Sequence, residues 1–243
     1  MRLLLRFCAI TALSVATNIS AIVPNFDMVD TPTAVTLPKG AFNVGFWAYD
    51  SGGVMTRAFL GLHDNLYIGV LFDTENVIGD QTARMNIPGV IARVKFTDGW
   101  GNFPLLIAMG YDTFYNGRYG KTQEEGVNPF GRNIAGPYLV FTKPVFIGGA
   151  EQHFHFGIRS PLQPNYRPED TAIFFSFDFP LGPFVPMFEI ERVYFDGSRL
   201  DQTLFNFGFK LSIVDNLSIE LGIISGARLR TNRIISFEYM NRF

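Results

Sequence analysis

The chain has 243 residues, 17% of them charged, with a formal net charge of −2. That balance leaves no basic footprint for gripping a nucleic-acid backbone. The single cysteine, Cys8, falls in a stretch expected to be removed, which excludes disulfides and cysteine-ligated zinc or iron–sulfur sites from the mature chain. With 26 phenylalanines and no apolar run long enough for a spanning helix, the apolar residues are spread at every second position, as in a transmembrane barrel.

The first segment is a leader. Arg2 and Arg6 give it a positive start, Phe7 to Ala16 an apolar centre, and Thr17-Asn18-Ile19-Ser20-Ala21 a small-residue exit. These are the parts of a secretory signal peptide, so residues 1–21 are expected to leave after Ala21. A lipoprotein reading through Cys8 fails because Leu5-Arg6-Phe7 is a poor lipobox. Residues 22–40 are expected to form a periplasmic N-terminal segment, and 41–243 an all-β, antiparallel, up-and-down transmembrane barrel.

Twelve segments alternate in the way that sends successive side chains of a strand to opposite faces. The first, 41–49, turns Phe42, Val44, Phe46 and Ala48 outward and Asn43 and Gly45 inward. In 54–62, Ala58, Leu60 and Leu62 oppose Arg57; in 65–72, Leu66, Ile68, Val70 and Phe72 oppose Tyr67 and Gly69. In 88–97, Val90, Ala92, Val94 and Phe96 oppose Arg93 and Lys95; in 104–113, Leu105, Ile107, Met109 and Tyr111 oppose Gly110 and Asp112. The segment 136–143 is weaker, with Leu139 and Phe141 against Tyr138 and Thr142. In 151–160, Phe154, Phe156 and Ile158 oppose His153, His155 and Arg159; in 171–179, Ile173, Phe175, Phe177 and Phe179 oppose Ser176 and Asp178. In 185–195, Phe188 and Ile190 oppose Glu189 and Glu191; in 202–213, Phe205, Phe207, Phe209 and Leu211 oppose Asn206, Gly208 and Lys210. In 217–224, Leu217, Ile219, Leu221 and Ile223 oppose Ser218 and Glu220. The last segment puts Ile235, Phe237, Tyr239 and Phe243 outward and Ser236, Glu238 and Arg242 inward. Weak segments leave ten or fourteen strands open.

The connections alternate in length. Those at one end are short: 63–65, 97–102, 143–149, 180–184 and 214–216. Those at the other are mostly longer: 73–86, 114–135, 161–170, 196–201 and 225–232, with only 50–53 short. Short periplasmic turns and longer outer loops are the asymmetry of outer-membrane barrels. A soluble sandwich, the competing architecture, gives no reason for loop length to follow strand parity.

A strand ending on Phe243, with Phe237 and Tyr239 on the same face, resembles the C-terminal assembly signal of bacterial outer-membrane barrels, though Asn241 departs from its pattern. Asp30-Thr31-Pro32-Thr33-Ala34, Leu37-Pro38-Lys39-Gly40, Asp50-Ser51-Gly52-Gly53, Gly61-Leu62-His63-Asp64-Asn65-Leu66, Glu75-Asn76-Val77-Ile78-Gly79-Asp80 and Pro88-Gly89-Val90 together resemble a family of bacterial outer-membrane barrels with a likeness to the YjbH-like barrels associated with exopolysaccharide production. The likeness covers roughly the first half of the mature chain. It implies the fold and a link to polysaccharide, and it brings no catalytic residues.

The candidate site is the lumen. Inward positions carry Arg57, Arg93, Lys95, Arg159, Lys210 and Arg242 beside Asp112, Asp178, Glu189, Glu191, Glu220 and Glu238. Charges inside a narrow barrel must pair or line water, because an unpaired buried charge is costly. The two readings are a structural ion-pair network and a small, weakly selective pore. No G-x-S-x-G or H-E-x-x-H motif occurs. His63 falls in a turn; His153 and His155 face the lumen, two ligands where an open zinc site takes three. The expected role is a small-solute channel or an envelope structural protein, without catalytic residues, metal or cofactor. The alternatives are a barrel partner in polysaccharide export or surface binding, and an outer-leaflet lipid hydrolase using His153 or His155. The expected partners are outer-membrane lipid, lipopolysaccharide met by Arg167, Arg199, Arg228, Arg230 and Arg233, and the barrel assembly machinery. The loop 114–135 is a candidate mouth or binding loop. Trp47 and Tyr49 are expected in an outer aromatic girdle, and Trp100 and Phe243 in an inner one.

Overall fold

The computed structural model describes residues 25–49, 52–99, 103–113, 136–147, 150–160, 167–195, 200–227 and 229–243. The expected leader 1–21, Trp100, Arg199, Arg228, the Arg230 side chain and the loop 114–135 lie outside the described residues.

Alternation at period two builds the whole molecule. The strands are β1 (Ala41–Tyr49), β2 (Gly53–His63), β3 (Leu66–Glu75), β4 (Gly89–Asp98), β5 (Leu106–Asp112), β6 (Gly136–Ile147), β7 (Ala150–Arg159), β8 (Ala172–Asp178), β9 (Phe184–Tyr194), β10 (Leu204–Val214), β11 (Leu217–Gly226) and β12 (Leu229–Arg242). Each pairs antiparallel with its neighbours in the chain, and β1 pairs with β12 from Ala41↔Arg242 to Ala48↔Ile235. This closes a twelve-stranded antiparallel barrel. A two-residue ribbon, Arg84–Met85, adds to the end of β3.

The outer face is the apolar one. Phe46, Ile68, Val90, Met109, Phe156, Phe175, Phe188, Phe205, Ile223 and Phe237 are all exposed on it. Large apolar groups on a continuous outer band would be stranded in water, whereas lipid solvates them and closure leaves no strand edge unpaired. Aromatic rings also pair across strands: Phe141 stacks on Phe156 at 4.7 Å and Phe188 meets Phe207 at 5.0 Å.

The strand ends define two rims. The near rim holds the start of β1, the end of β12 and the turns 64–65, 179–183 and 215–216. The far rim holds the opposite strand ends. Two expected connections are shorter than the sequence suggests, because their residues join the ladder. Lys143 to Ile147 extend β6, and β12 begins at Leu229, with Gly226↔Leu229 in register. Arg233 accordingly sits exposed on β12, paired across to Ile223, and not on a loop.

Trp47 and Tyr49 do not form an outer girdle. Their odd positions on β1 turn them into the lumen, where both are buried. The second change concerns the chain before β1. Residues 22–40 were expected on the periplasmic side of the barrel, yet Asn25 to Leu37 lie inside it. Phe26, Met28, Val29, Ala34 and Leu37 are all buried there.

Candidate functional site: the barrel lumen

Parity alone places most charged side chains on the inner wall, where both signs occur. Arg57 on β2, Arg93 on β4 and Arg159 on β7 are buried on one side. Asp178 on β8, Glu189 and Glu191 on β9 and Glu220 on β11 are buried on the other. In a ring of twelve, β3 stands opposite β9, so Arg57 and Arg93 face the carboxylates of β8, β9 and β11 across the bore. The signs are only partly separated: Asp73 and Glu75 on β3 and Asp112 on β5, 3.8 Å from Arg57, are buried on the arginine side, and Arg192 on β9 and Lys210 on β10, 3.0 Å from Glu238, on the carboxylate side.

Two expected inward charges sit at the near rim. Lys95 bonds Asp98 at 2.6 Å beside the turn, and Arg242 is exposed. Arg192 was missed. A register shift between Ile190 and Val193, with Arg192 at φ 58°, inserts an extra residue and turns Glu191 and Arg192 both inward. A bulge of this kind re-aims one side chain against the alternation, so parity counting cannot find it.

Between the two sides lies the segment 25–37, which we call the tongue. It enters near Asp178, to which the Asn25 amide donates at 2.9 Å. It turns back where the Met28 N–H donates to the Thr31 carbonyl at 2.8 Å, with Asp27 bridged to Pro32. It leaves at the near rim, where the Thr36 hydroxyl donates to the Asp64 carbonyl at 2.8 Å and the Lys39 N–H to the Asp64 carboxylate at 2.8 Å. That last bond holds the Asp64 carboxyl below its ordinary range. Both ends of the tongue are therefore at the near rim, and no barrel strand forms a ladder with it.

The tongue meets the arginines with a carboxylate and the carboxylates with hydrogen-bond donors. On the arginine side, the Asp27 carboxylate accepts from Arg57 at 2.7 Å and from Arg93 at 2.6 Å, one oxygen to each guanidinium. Arg93 also donates to the Phe26 carbonyl at 2.6 Å, the Val35 carbonyl at 3.0 Å and the Tyr138 hydroxyl at 2.6 Å. On the carboxylate side, the Glu189 carboxylate accepts from the N–H groups of Asp30 and Thr31 at 3.1 Å, the Thr31 hydroxyl at 2.9 Å and the Asn206 amide at 2.7 Å. Burial alone would push the Asp27 carboxyl up, but the two arginines outweigh it and hold it at about 2. Asp30 goes the other way: burial, reinforced by the neighbouring Glu191 carboxylate, raises it well above the usual range.

The arginines are also held by rings. The Arg57 guanidinium lies 4.7 Å from the Phe59 ring centre and 5.1 Å from that of Trp47, and Arg93 lies 5.1 Å from Tyr67. Stacking of this kind fixes a desolvated guanidinium at a favourable energy. The apolar side of the tongue packs on inner residues that include Met55, Leu71, Ile91, Met187, Ile224 and Ile234. Val29, at its tip, lies where a side chain at Gly208 or Gly222 would stand, 2.6 Å and 2.9 Å from the Cβ positions.

The histidines are tied locally. His153 bonds Asp178 at 2.7 Å, and the buried His155 bonds the Thr142 hydroxyl at 2.8 Å. Among the described residues, no three histidine, cysteine or carboxylate groups are gathered to hold a metal ion. At the closure, Phe243 N–H donates to the Gly40 carbonyl at 3.0 Å and its ring meets Phe42 at 5.1 Å, while Phe237 and Tyr239 face outward.

No protein-family model matches the chain and no curated protein is similar to it. Among solved structures, the KdgM porin in complex with disordered oligogalacturonate matches with a TM-score of 0.54 and 11% identity, over 82% of this chain and 98% of that one. The Acinetobacter baumannii outer membrane protein Omp33 matches with a TM-score of 0.45 and 9% identity, over 84% of this chain and 97% of that one. At 11% identity the KdgM likeness is one of fold: this chain is a closed β-barrel of the kind that outer-membrane porins use.

Proposed function

We propose that the protein is a small-solute channel of the bacterial outer membrane, closed in this structure by its own tongue. The observation that carries the reading is the lumen: Arg57 and Arg93 face a group of carboxylates across the bore, and residues 25–37 lie between them and bond to both. A barrel built only for support has no need of so many charges along its bore, since burying ions costs roughly several kcal/mol each unless they are paired. Fields across a pore act on passing solutes. The near rim is taken as periplasmic, following its short turns. Phe237, Tyr239 and Phe243 present the last strand to the assembly machinery, and the apolar band meets lipid and lipopolysaccharide. The finer likeness to YjbH-like barrels rests on turn and strand-start residues and names no solute.

Planar-bilayer recording of the refolded protein tests this. The full chain is expected to give rare, brief current steps, and a chain lacking 25–36 steady ones. Silence from both folded barrels would overturn the channel reading and leave an envelope structural role.

A further inference from the structure

The contact of Asp27 with Arg57 and Arg93 has the form of a ligand in a site. Two guanidinium groups from different strands converge on one carboxylate, each giving one bond, at 2.7 Å and 2.6 Å. Neither arginine owes its position to Asp27 alone. Arg57 is stacked on Phe59 and Trp47, and Arg93 is stacked on Tyr67 and bonded to the Tyr138 hydroxyl. All of these partners belong to the barrel wall, so the clamp keeps its shape when the tongue leaves. The tongue can leave as one piece, because both its ends lie at the near rim and no ladder holds it.

We propose that Arg57 and Arg93 form a binding site for a carboxylate on a passing solute, and that Asp27 occupies this site in the closed state as an internal stand-in. An acidic solute then competes with Asp27, and its binding holds the tongue out. The inference rests on the channel reading and adds both the chemical class of the solute and the means of opening. Arginine suits the task, since its fork of donors recognises carboxylates while its plane stacks on rings. The tether sets the scale. A short flexible link gives Asp27 an effective concentration of roughly millimolar, so an acidic solute must reach that range to compete.

The test uses gluconate and sorbitol, matched in size and differing in the carboxylate, with single-channel recording of three chains. In the full chain, gluconate at tens of millimolar (roughly ten times the tether's effective concentration) is expected to raise the conducting fraction, and sorbitol is not. Asp27→Asn is expected to conduct without gluconate, with a closed-to-open shift of about a hundredfold or more, the scale for stripping one partner from a buried charge pair. In the chain lacking 25–36, gluconate is expected to reduce chloride current, and Arg57→Gln with Arg93→Gln to remove that effect. If the shortened chain conducts while Asp27→Asn stays as closed as the wild type and gluconate acts no differently from sorbitol, the carboxylate site is wrong although the channel reading survives. If the shortened chain is folded and silent, the channel reading itself fails. Should the shortened chain not fold, the full-length Asp27→Asn comparison decides alone.

Discussion

At the scale of single residues, the lumen shows how charge can be kept inside a barrel. Lys210 is fully buried and is held by Glu238 at 3.0 Å, with Glu220 also close by. Removing one member of such a pair leaves a buried charge without its counter-ion, which typically costs about 3–5 kcal/mol. Lys210→Met is therefore expected to lower stability by about 3 kcal/mol, read as a shifted midpoint of urea unfolding in lipid vesicles. Adding Glu238→Leu should recover part of the loss, and an additive double mutant would show that the two side chains are not coupled. These residues were legible from sequence, because parity on a strand assigns each side chain a face. Trp47 and Tyr49 obey the same parity, and their expected place in a girdle came from residue type set above position. Glu191 and Arg192 both face inward because the β9 bulge breaks the alternation, and nothing in their residue types announces it.

At the scale of elements, the strands were legible and the tongue was not. Lipid demands an apolar residue at every second position, so the outer face writes a pattern into the sequence. A short irregular segment held by its neighbours writes none. Its trace lies in the wall: Met55, Leu71, Ile91, Met187 and Ile234 occupy inward positions among the charges. Apolar groups of that size facing a water-filled lumen would lack a partner, and the tongue's Phe26, Met28, Val29 and Leu37 supply it. The tongue's docking should also depend on pH. Asp30 faces Glu189 and Glu191 across β9, with Arg192 on the same strand and Arg159 on β7 pulling the other way. Docking raises the Asp30 carboxyl, so the docked tongue holds a proton that the free tongue loses at about pH 4. The docking stability is complete below that value and falls as pH rises toward the docked value. Asp27, held at about 2, stays ionised throughout this range. A Thr33→Cys tongue should thus react faster with a water-soluble maleimide at about pH 8 than at about pH 5, after normalisation to an exposed Asp215→Cys control. Equal normalised rates would contradict the role given to Asp30.

At the scale of the whole molecule, closure and plugging solve different problems. Pairing β1 with β12 removes every barrel strand edge, which lipid requires. The tongue then fills a bore lined by buried charges of both signs, with Asp27 answering the arginines and two N–H groups answering Glu189. Fold class and the membrane face follow from the periodicity alone; the state of the lumen does not, because it depends on a segment that joins no sheet. The most direct check is a cysteine pair, Val29→Cys with Gly208→Cys, since Val29 lies 2.6 Å from the Cβ position at Gly208 and Cys8 is the chain's only native cysteine. In native membranes under mild oxidation, a tongue docked in the lumen predicts rapid disulfide formation, seen as a reducible mobility shift and absent from either single cysteine variant. A folded barrel in which that bond never forms would mean that residues 25–37 do not occupy the lumen.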